Sequence, residues 1–413
     1  MFRNYLLTAW KVFTRRKLYT AINLTCIVLT LVVLLVVTAL LEYAFFPGGV
    51  ERKSDRMLQV SSLTLTNADH TATHRSPIGY KIVDRYLRTI PGVEAVAAVS
   101  SPQSVSVFRE GQISQAVMRR ADAAYWQILD FNVVRGALPT AGDVAQGRFV
   151  AVLNESTARR LYGSVDVVGQ TLNAAGQAFR IIGVVENVLH VNAYADIWVP
   201  VTTYPSTAYR QSLDGSFSGL LLVRDTGDLP RVQRAIASAA RTVQSDDPKE
   251  WTKAYFWGDS KLEMFARGLL GNDQQQDAGA TELLALIGGA MLIFMLLPAL
   301  NLVNLNVGRI MERSAEIGVR KAFGATNRQL VVQFIVENVL LSLAGGVLGL
   351  LLAQGVLMWL NAADIIPYLK LNINLTVFAL GLVIAAVFGV LSGVIPAWKM
   401  ARLDPVHALK GVS

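Results

Sequence analysis

Cysteine is nearly absent: Cys26 is the only one in 413 residues. No intramolecular disulfide can therefore staple a folded part of the chain, and Cys26, inside an apolar run, reads as a packing residue. Histidine is scarce too, with four in all, and His70 and His74 are the only close pair. Their spacing would suit a metal on one helix face, but no His-Glu-x-x-His motif occurs, and Asn67, Asp69 and the nearby threonines read as a polar loop. The chain has no Gly-x-x-x-x-Gly-Lys-Ser/Thr phosphate loop, which excludes the usual nucleotide-binding turn. No nucleophile stands beside a plausible base. The sequence reads as a non-catalytic chain with no metal and no cofactor of its own.

Charge is the other scarcity. Only 16% of residues are charged while 53% are hydrophobic, a balance foreign to soluble proteins of this length. No charge falls between Lys17 and Glu42, between Glu282 and Arg309, or between Lys370 and Lys399, and Glu337 alone interrupts the interval from Arg328 to Asp364. Each interval exceeds the roughly 20 residues a helix needs to cross a bilayer core. Four transmembrane helices are expected, at 18–46, 282–308, 327–361 and 375–396. The first has an apolar run longer than a signal core and no small-residue cleavage pattern, so it reads as an anchor.

The net charge of +8 would suggest nucleic acid on a soluble surface. Here it lies beside the spans. Arg3, Lys11, Arg15, Arg16 and Lys17 precede the first, Arg309, Arg313, Arg320, Lys321 and Arg328 lie between the second and third, and Lys399, Arg402 and Lys410 follow the fourth. The stretch 47–281 is nearly neutral, with 24 bases and 23 acids. The positive-inside rule puts both termini and the loop 309–326 in the cytoplasm, and 47–281 outside with the short loop 362–374. No nucleic-acid partner is implied; membrane lipid is.

Residues 1–17 place Leu6, Ala9, Trp10 and Phe13 on one face, the pattern of an amphipathic helix at the cytoplasmic membrane surface; 397–413 form a cytoplasmic tail. The external region reads as α+β. A strand at 56–65, a helix marked by Ile78, Ile82, Tyr86 and Ile90, and a strand at 93–100 make one β-α-β unit. A strand at 219–224, a helix opened by Asp228 and Pro230, and a strand at 251–257 make a second. Two such halves suggest a split β-α-β layer, with about 110–215 as an inserted, mostly β subdomain.

The charged loop 309–326 predicts a helix. Glu316 and Arg320 stand four apart in the favourable order, Gly324 suits a left-handed end, and Thr326 with Gln329 forms a capping box for the next helix. Within the spans, Gly345 with Gly349, and Gly389 with Gly393, are small-xxx-small pairs for close helix packing. Asn301, Asn304, Glu337 and Asn338 are polar groups that need partners in lipid. One ionisable residue does not make a proton relay, and a buried hydrogen bond is the expected role.

Several strings carry a resemblance to a known family. Glu316-Ile-Gly-Val-Arg-Lys-Ala-Phe-Gly-Ala325, followed by Gln333-Phe-Ile-Val-Glu-Asn338, resembles the cytoplasmic loop of MacB/FtsX-type ABC transporter permeases. Ala121-Asp-Ala-Ala-Tyr-Trp126, Val150-Ala-Val-Leu-Asn-Glu-Ser-Thr-Ala-Arg-Arg-Leu-Tyr-Gly163 and the run 169–185 resemble the MacB-like periplasmic core domain, and 396–410 resembles the family's ending. The resemblance implies a stand-alone permease subunit in the bacterial inner membrane. Glu312, Glu316, Ile317, Gly318, Arg320, Lys321, Phe323 and Gly324 would then form the coupling helix that sits on a separate cytoplasmic ATPase, which binds Mg-ATP. It further implies a dimer with an identical or paralogous permease, a periplasmic adaptor and outer-membrane channel as further partners, and motion of the external domain that expels peptides, antibiotics or toxins. Two alternatives stay open: a lipoprotein-releasing permease, and an FtsX-like regulator of cell-wall hydrolases that transports nothing.

Overall fold

The computed structural model describes residues 13, 14, 17–312, 319, 323–363, 371, 373–376, 378–383, 386, 387 and 390. These fall into two compact units, divided between Glu42 and Tyr43 and between Leu283 and Leu284.

The apolar unit contains α1 (Lys17–Phe45), whose last residues enter the folded domain, together with most of a 33-residue helix, Ala280–Glu312, and a 36-residue helix, Asn327–Ala362. Among the described residues two segments are long and apolar enough to cross a membrane: Thr20–Phe45, of mean hydropathy 3.0, and Arg328–Ala362, of 2.0. The helix from Ala280 is apolar over Ala280–Leu296. Much of 375–396, expected as a further span, lies outside the described residues, as do Gly389 and Gly393. Gly345 and Gly349 face α1: a Cβ added at Gly345 would lie 2.6 Å from Ile27, and one at Gly349 would lie 3.1 Å from Leu31. Missing side chains are what let these two helices approach.

The folded domain (43–283) is built on thirteen strands: β1 (Met57–Val60), β2 (Ser62–Thr66), β3 (Thr73–Pro77), β4 (Val93–Ser100), β5 (Gln103–Arg109), β6 (Gln112–Ala121), β7 (Val133–Gly136), β8 (Val150–Asn154), β9 (Thr171–Ala174), β10 (Gln177–Val185), β11 (Ile197–Pro200), β12 (Phe217–Val223) and β13 (Lys253–Tyr255). Its main helices are α2 (Tyr80–Ile82), continued by a π-turn at Val83–Leu87, then α3 (Tyr125–Ile128), α4 (Ala141–Ala145), α5 (Glu155–Tyr162), α6 (Leu229–Ala240) and α7 (Lys261–Leu270). For the long helices that flank the apolar runs we use α8 (Ala280–Glu312) and α9 (Asn327–Ala362).

Ten strands form one sheet, ordered β1-β12-β4-β6-β11-β8-β10-β9-β5 with β7 on β10, and β5 also pairs with β6. That last pairing closes β6, β11, β8, β10, β9 and β5 into a six-stranded barrel. Closure removes the edges that short strands would otherwise expose. Its filling is apolar and buried, with Phe179, Ile181, Leu153, Met118 and Val199 at the centre. Two tight hairpins make the barrel possible. Glu110 and Gly111 join β5 to β6, Ala175 and Gly176 join β9 to β10, and all four residues have positive φ, as a two-residue turn of the twist-matched type requires.

The structure corrects the split β-α-β expectation in two places. First, 56–65 breaks at Ser61: β1 joins the large sheet while β2 joins a second sheet, β13-β2-β3. The second β-α-β unit likewise runs from β12 in the large sheet to β13 in the small one, with α6 between, so the halves do not close one layer. Second, the inserted part begins at Gln103 rather than near 110, because β5 is a barrel strand, and it is continuous with the large sheet through Val99 opposite Ala121. A second core lies under α6, where Ile236 and Val232 pack with Leu58, Leu63, Ile82 and Phe256, and a third holds Tyr125, Trp198 and Leu220.

Candidate functional site: a buried ionic joint

The domain is entered by the chain from α1 and left towards α8, and both connecting segments are fixed to it by buried charge. After α1, a short 3-10 turn at Gly49–Glu51 tucks the Glu51 carboxylate inside. Glu51 Oε2 lies 2.8 Å from Lys261 Nζ, and both side chains are almost wholly buried. The same ammonium donates to the carbonyl of Phe46 at 3.5 Å, and the amide of Asn192 donates to Glu51 Oε1 at 3.3 Å. One ion pair thus joins the segment that leaves α1, the first residue of α7 and the loop before β11.

A second pair lies on the other connector. Arg267 grips Asp259 with two bonds, Nε to Oδ2 at 2.7 Å and Nη2 to Oδ1 at 2.9 Å. Its remaining donors reach the carbonyls of Asn272, Gln275 and Gln276, and its guanidinium stands 5.2 Å from the Trp257 ring centroid. The planar fork suits this work, since one side chain satisfies a carboxylate and three carbonyls of the segment that leads into α8. Gln59 and Asp259 also exchange backbone bonds, tying that connector to β1. Ser260 and Glu263 form a capping box that starts α7 at once.

The joint has a second wall. Arg119 on β6 is buried and donates to the carbonyls of Ser100, Val191 and Tyr194, while the Tyr125 hydroxyl donates to the carbonyl of Asn192 at 2.9 Å. Together they hold the loop 190–194 against the Glu51 turn. Burial pulls the Arg119 guanidinium below its ordinary range and pushes the Tyr125 phenol up. Burial likewise raises the Asp259 carboxyl, against the opposing pull of Arg267. The His190 ring packs 5.0 Å from Tyr43 and beside Gly49. Its pKa is lowered by burial first, and by the Lys261 charge, with Glu51 acting in the opposite direction.

Among the described residues no group of three metal-ligating side chains converges. Oppositely charged pairs closed off from water are a mechanical device: removing one partner strands a buried charge, so the segments they join move together.

Of the residues singled out from sequence, Glu312 ends α8, while Glu316, Ile317, Gly318, Arg320 and Lys321 lie outside the described residues. Phe323 is 89% exposed, Gly324 has φ +89°, and the Thr326 and Gln329 capping box opens α9. Asn301 and Asn304 fall on α8, their side chains outside the described set. Glu337 and Asn338 are buried on α9, and Gln333 Nε2 donates to Glu337 Oε1 at 2.9 Å. His70 sits in a turn and His74 on β3, so they share no helix. The joint itself went unread, because Lys261 and Arg267 look like ordinary surface charges. The available signal was the apolar stripe of Leu262, Phe265 and Leu269 on α7, with Arg267 on the opposite face.

Two family models match the chain: a MacB-like periplasmic core domain over residues 20–239, and an FtsX-like permease C-terminal region over 288–405. Among curated proteins it is 26% identical over 326 residues to the uncharacterised ABC transporter permease YknZ of Bacillus subtilis, covering 78% of this chain and 77% of that one. It is 27% identical over 406 residues to the pyoverdine export ATP-binding/permease protein PvdT of Pseudomonas entomophila, covering 97% of this chain. The chain spans 58% of the length of that relative. A macrolide export ATP-binding/permease protein MacB of Agrobacterium fabrum is 25% identical over 338 residues, covering 78% of this chain and 49% of that one.

Two outcomes follow from the joint. Lys261→Met should lower the stability of the full chain by about 3–5 kcal/mol, the cost of a stranded buried carboxylate, and adding Glu51→Leu should recover most of the loss; unfolding followed by tryptophan fluorescence in detergent checks both. The His190 ring, held neutral when folded, binds its proton more readily unfolded, so its contribution is full above pH 6.5 and is lost as pH falls below it. Comparing wild type with His190→Gln across pH 5 to 8 should show the extra acid sensitivity only in wild type.

Proposed function

The chain belongs to the family of ABC transporter permeases with a MacB-like periplasmic core domain and an FtsX-like C-terminal region, and we propose from this that it couples a separate ATPase to movement of the folded domain. The carrying observation is the joint, where two buried ion pairs bind both connectors to one domain. A helix displaced at its cytoplasmic end would drag the domain with it rather than bend at the connection. The exposed Phe323 and the tight turn at Gly324 lie directly before the capped start of α9, in a loop suited to receive the push.

In this reading Mg-ATP is bound and hydrolysed by the partner chain, and Glu312, Glu316, Ile317, Gly318, Arg320, Lys321, Phe323 and Gly324 form the surface it touches. A second permease completes the pair, both termini face the cytoplasm, and a periplasmic adaptor with an outer-membrane channel would carry cargo onward. Substrate would be expelled by domain motion rather than through the spans, whose apolar runs, interrupted by Glu337 alone, offer no continuous polar route. The relatives named for pyoverdine and macrolide export support export of peptide-like or antibiotic-like molecules.

The test is a Glu316→Arg and Arg320→Glu double variant, purified with its ATPase. The swap keeps an i,i+4 ion pair, only in the less favourable order, a change of at most about 0.2–0.5 kcal/mol, so folding should be unchanged while ATPase binding or stimulation falls sharply. Unchanged binding and turnover would overturn the coupling role.

A further inference from the structure

On α7 the usual arrangement of a surface helix is reversed. Its two bases, Lys261 and Arg267, are buried in ion pairs, while Phe265 is 50% and Leu269 60% exposed. Leu262, Phe265 and Leu269 follow the three-and-four spacing of a single stripe, so the outward stripe is apolar and the inward side holds the charge. Phe46 is 61% exposed and directly follows α1, and the ring of its neighbour Phe45 touches that of Phe265 at 5.4 Å. Val191, 59% exposed, sits next to His190, whose ring packs on Tyr43. Three separate stretches of chain thus bring exposed apolar side chains to the joint.

We infer that this collar (Phe46, Val191 and the outward stripe of α7) lies in the boundary between lipid headgroups and acyl chains, as a membrane-surface contact distinct from the spans. Continuity decides for lipid. The chain passes from an apolar helix into the collar at Phe46 without an intervening residue, and enters the next apolar helix at Ala280, ten positions after Leu270. Such an anchorage fixes the collar near the bilayer plane, where apolar stripes lie a few ångströms deep. Charge agrees with this: an exposed base or acid on the stripe would resist that depth, and both bases of α7 are turned inward and paired. The polar run of Asn272 to Asp277 then supplies the side that meets headgroups and water. The collar would thereby hold the joint at a fixed depth while the rest of the domain moves.

The inference rests on α1 and α9 crossing a bilayer, and the test separates the two. Single cysteines replace Phe265, Leu269, Ile113 or Leu351 in the full chain with Cys26→Ser, and carry nitroxide labels in nanodiscs of phosphatidylethanolamine and phosphatidylglycerol. Collision with oxygen and with a neutral water-soluble nickel chelate is measured. Labels at Phe265 and Leu269 should resemble the one at Leu351, with high oxygen access and a several-fold loss of nickel access relative to Ile113 on the β5–β6 hairpin. Nickel access at Leu269 equal to that at Ile113, with Leu351 still in lipid, would overturn the collar alone. Exclusion of both reagents would overturn it too: with dipolar broadening it identifies a second copy as the cover, without it another protein surface. Nickel access at Leu351 would instead contradict the membrane placement itself.

Discussion

The pairing of Glu51 with Lys261 is the constraint on which the arrangement of the domain's base depends. Neither charge could remain there alone, since a carboxylate or an ammonium withdrawn from water costs several kcal/mol without a partner. Each therefore requires the other, and they come from chain segments 210 positions apart. The pair forces the segment after α1 and the helix before α8 to meet, and the Asn192 amide adds the loop before β11 to the same point. Asp259 and Arg267 repeat the device eight residues apart and reach on to the carbonyls leading into α8. Both pairs lie within the folded unit 43–283, where they fix the first and last segments of the domain to its body.

That constraint ties the fold to the functional reading. The six-stranded barrel and the sheet beside it make a body with a close-packed interior, which transmits displacement because it does not compress. Arg119 extends the joint into that body by donating from each of its three guanidinium nitrogens, to one carbonyl at the end of β4 and two in the loop 190–194. The reversed polarity of α7 belongs to the same design: its bases seal the joint on one side, and Phe265 and Leu269 are left facing outward on the other.

What could be read from sequence follows the range of the interactions concerned. The apolar runs were legible because absence of charge over more than 20 positions is a one-dimensional signal, as for α1 and α9. So were β4, β12 and α6, the last marked by Pro230 in its first turn. Barrel closure was not legible, because it depends on β5 meeting β9 and on β6 meeting β11, pairings between segments dozens of positions apart with no local mark. The break at Ser61 was missed for a related reason: both halves alternate well enough to pass as one strand, and only the destination sheets distinguish them. The joint was hidden by the ordinary expectation that lysine and arginine face water, which burial in pairs reverses.

The central claim is that the connectors are as rigid as the domain they carry. Native-state hydrogen exchange on the full chain in nanodiscs measures this directly, through the amides of residues 257–271 and 48–54 against those of the barrel strands β8 and β10. The account predicts that Asp259, Met264 and Gly271, all hydrogen-bonded in the joint, exchange only with the global opening that releases β8 and β10. Exchange of those amides by a separate, low-energy local opening, with the barrel still protected, would show a hinge where a weld is claimed and would contradict it.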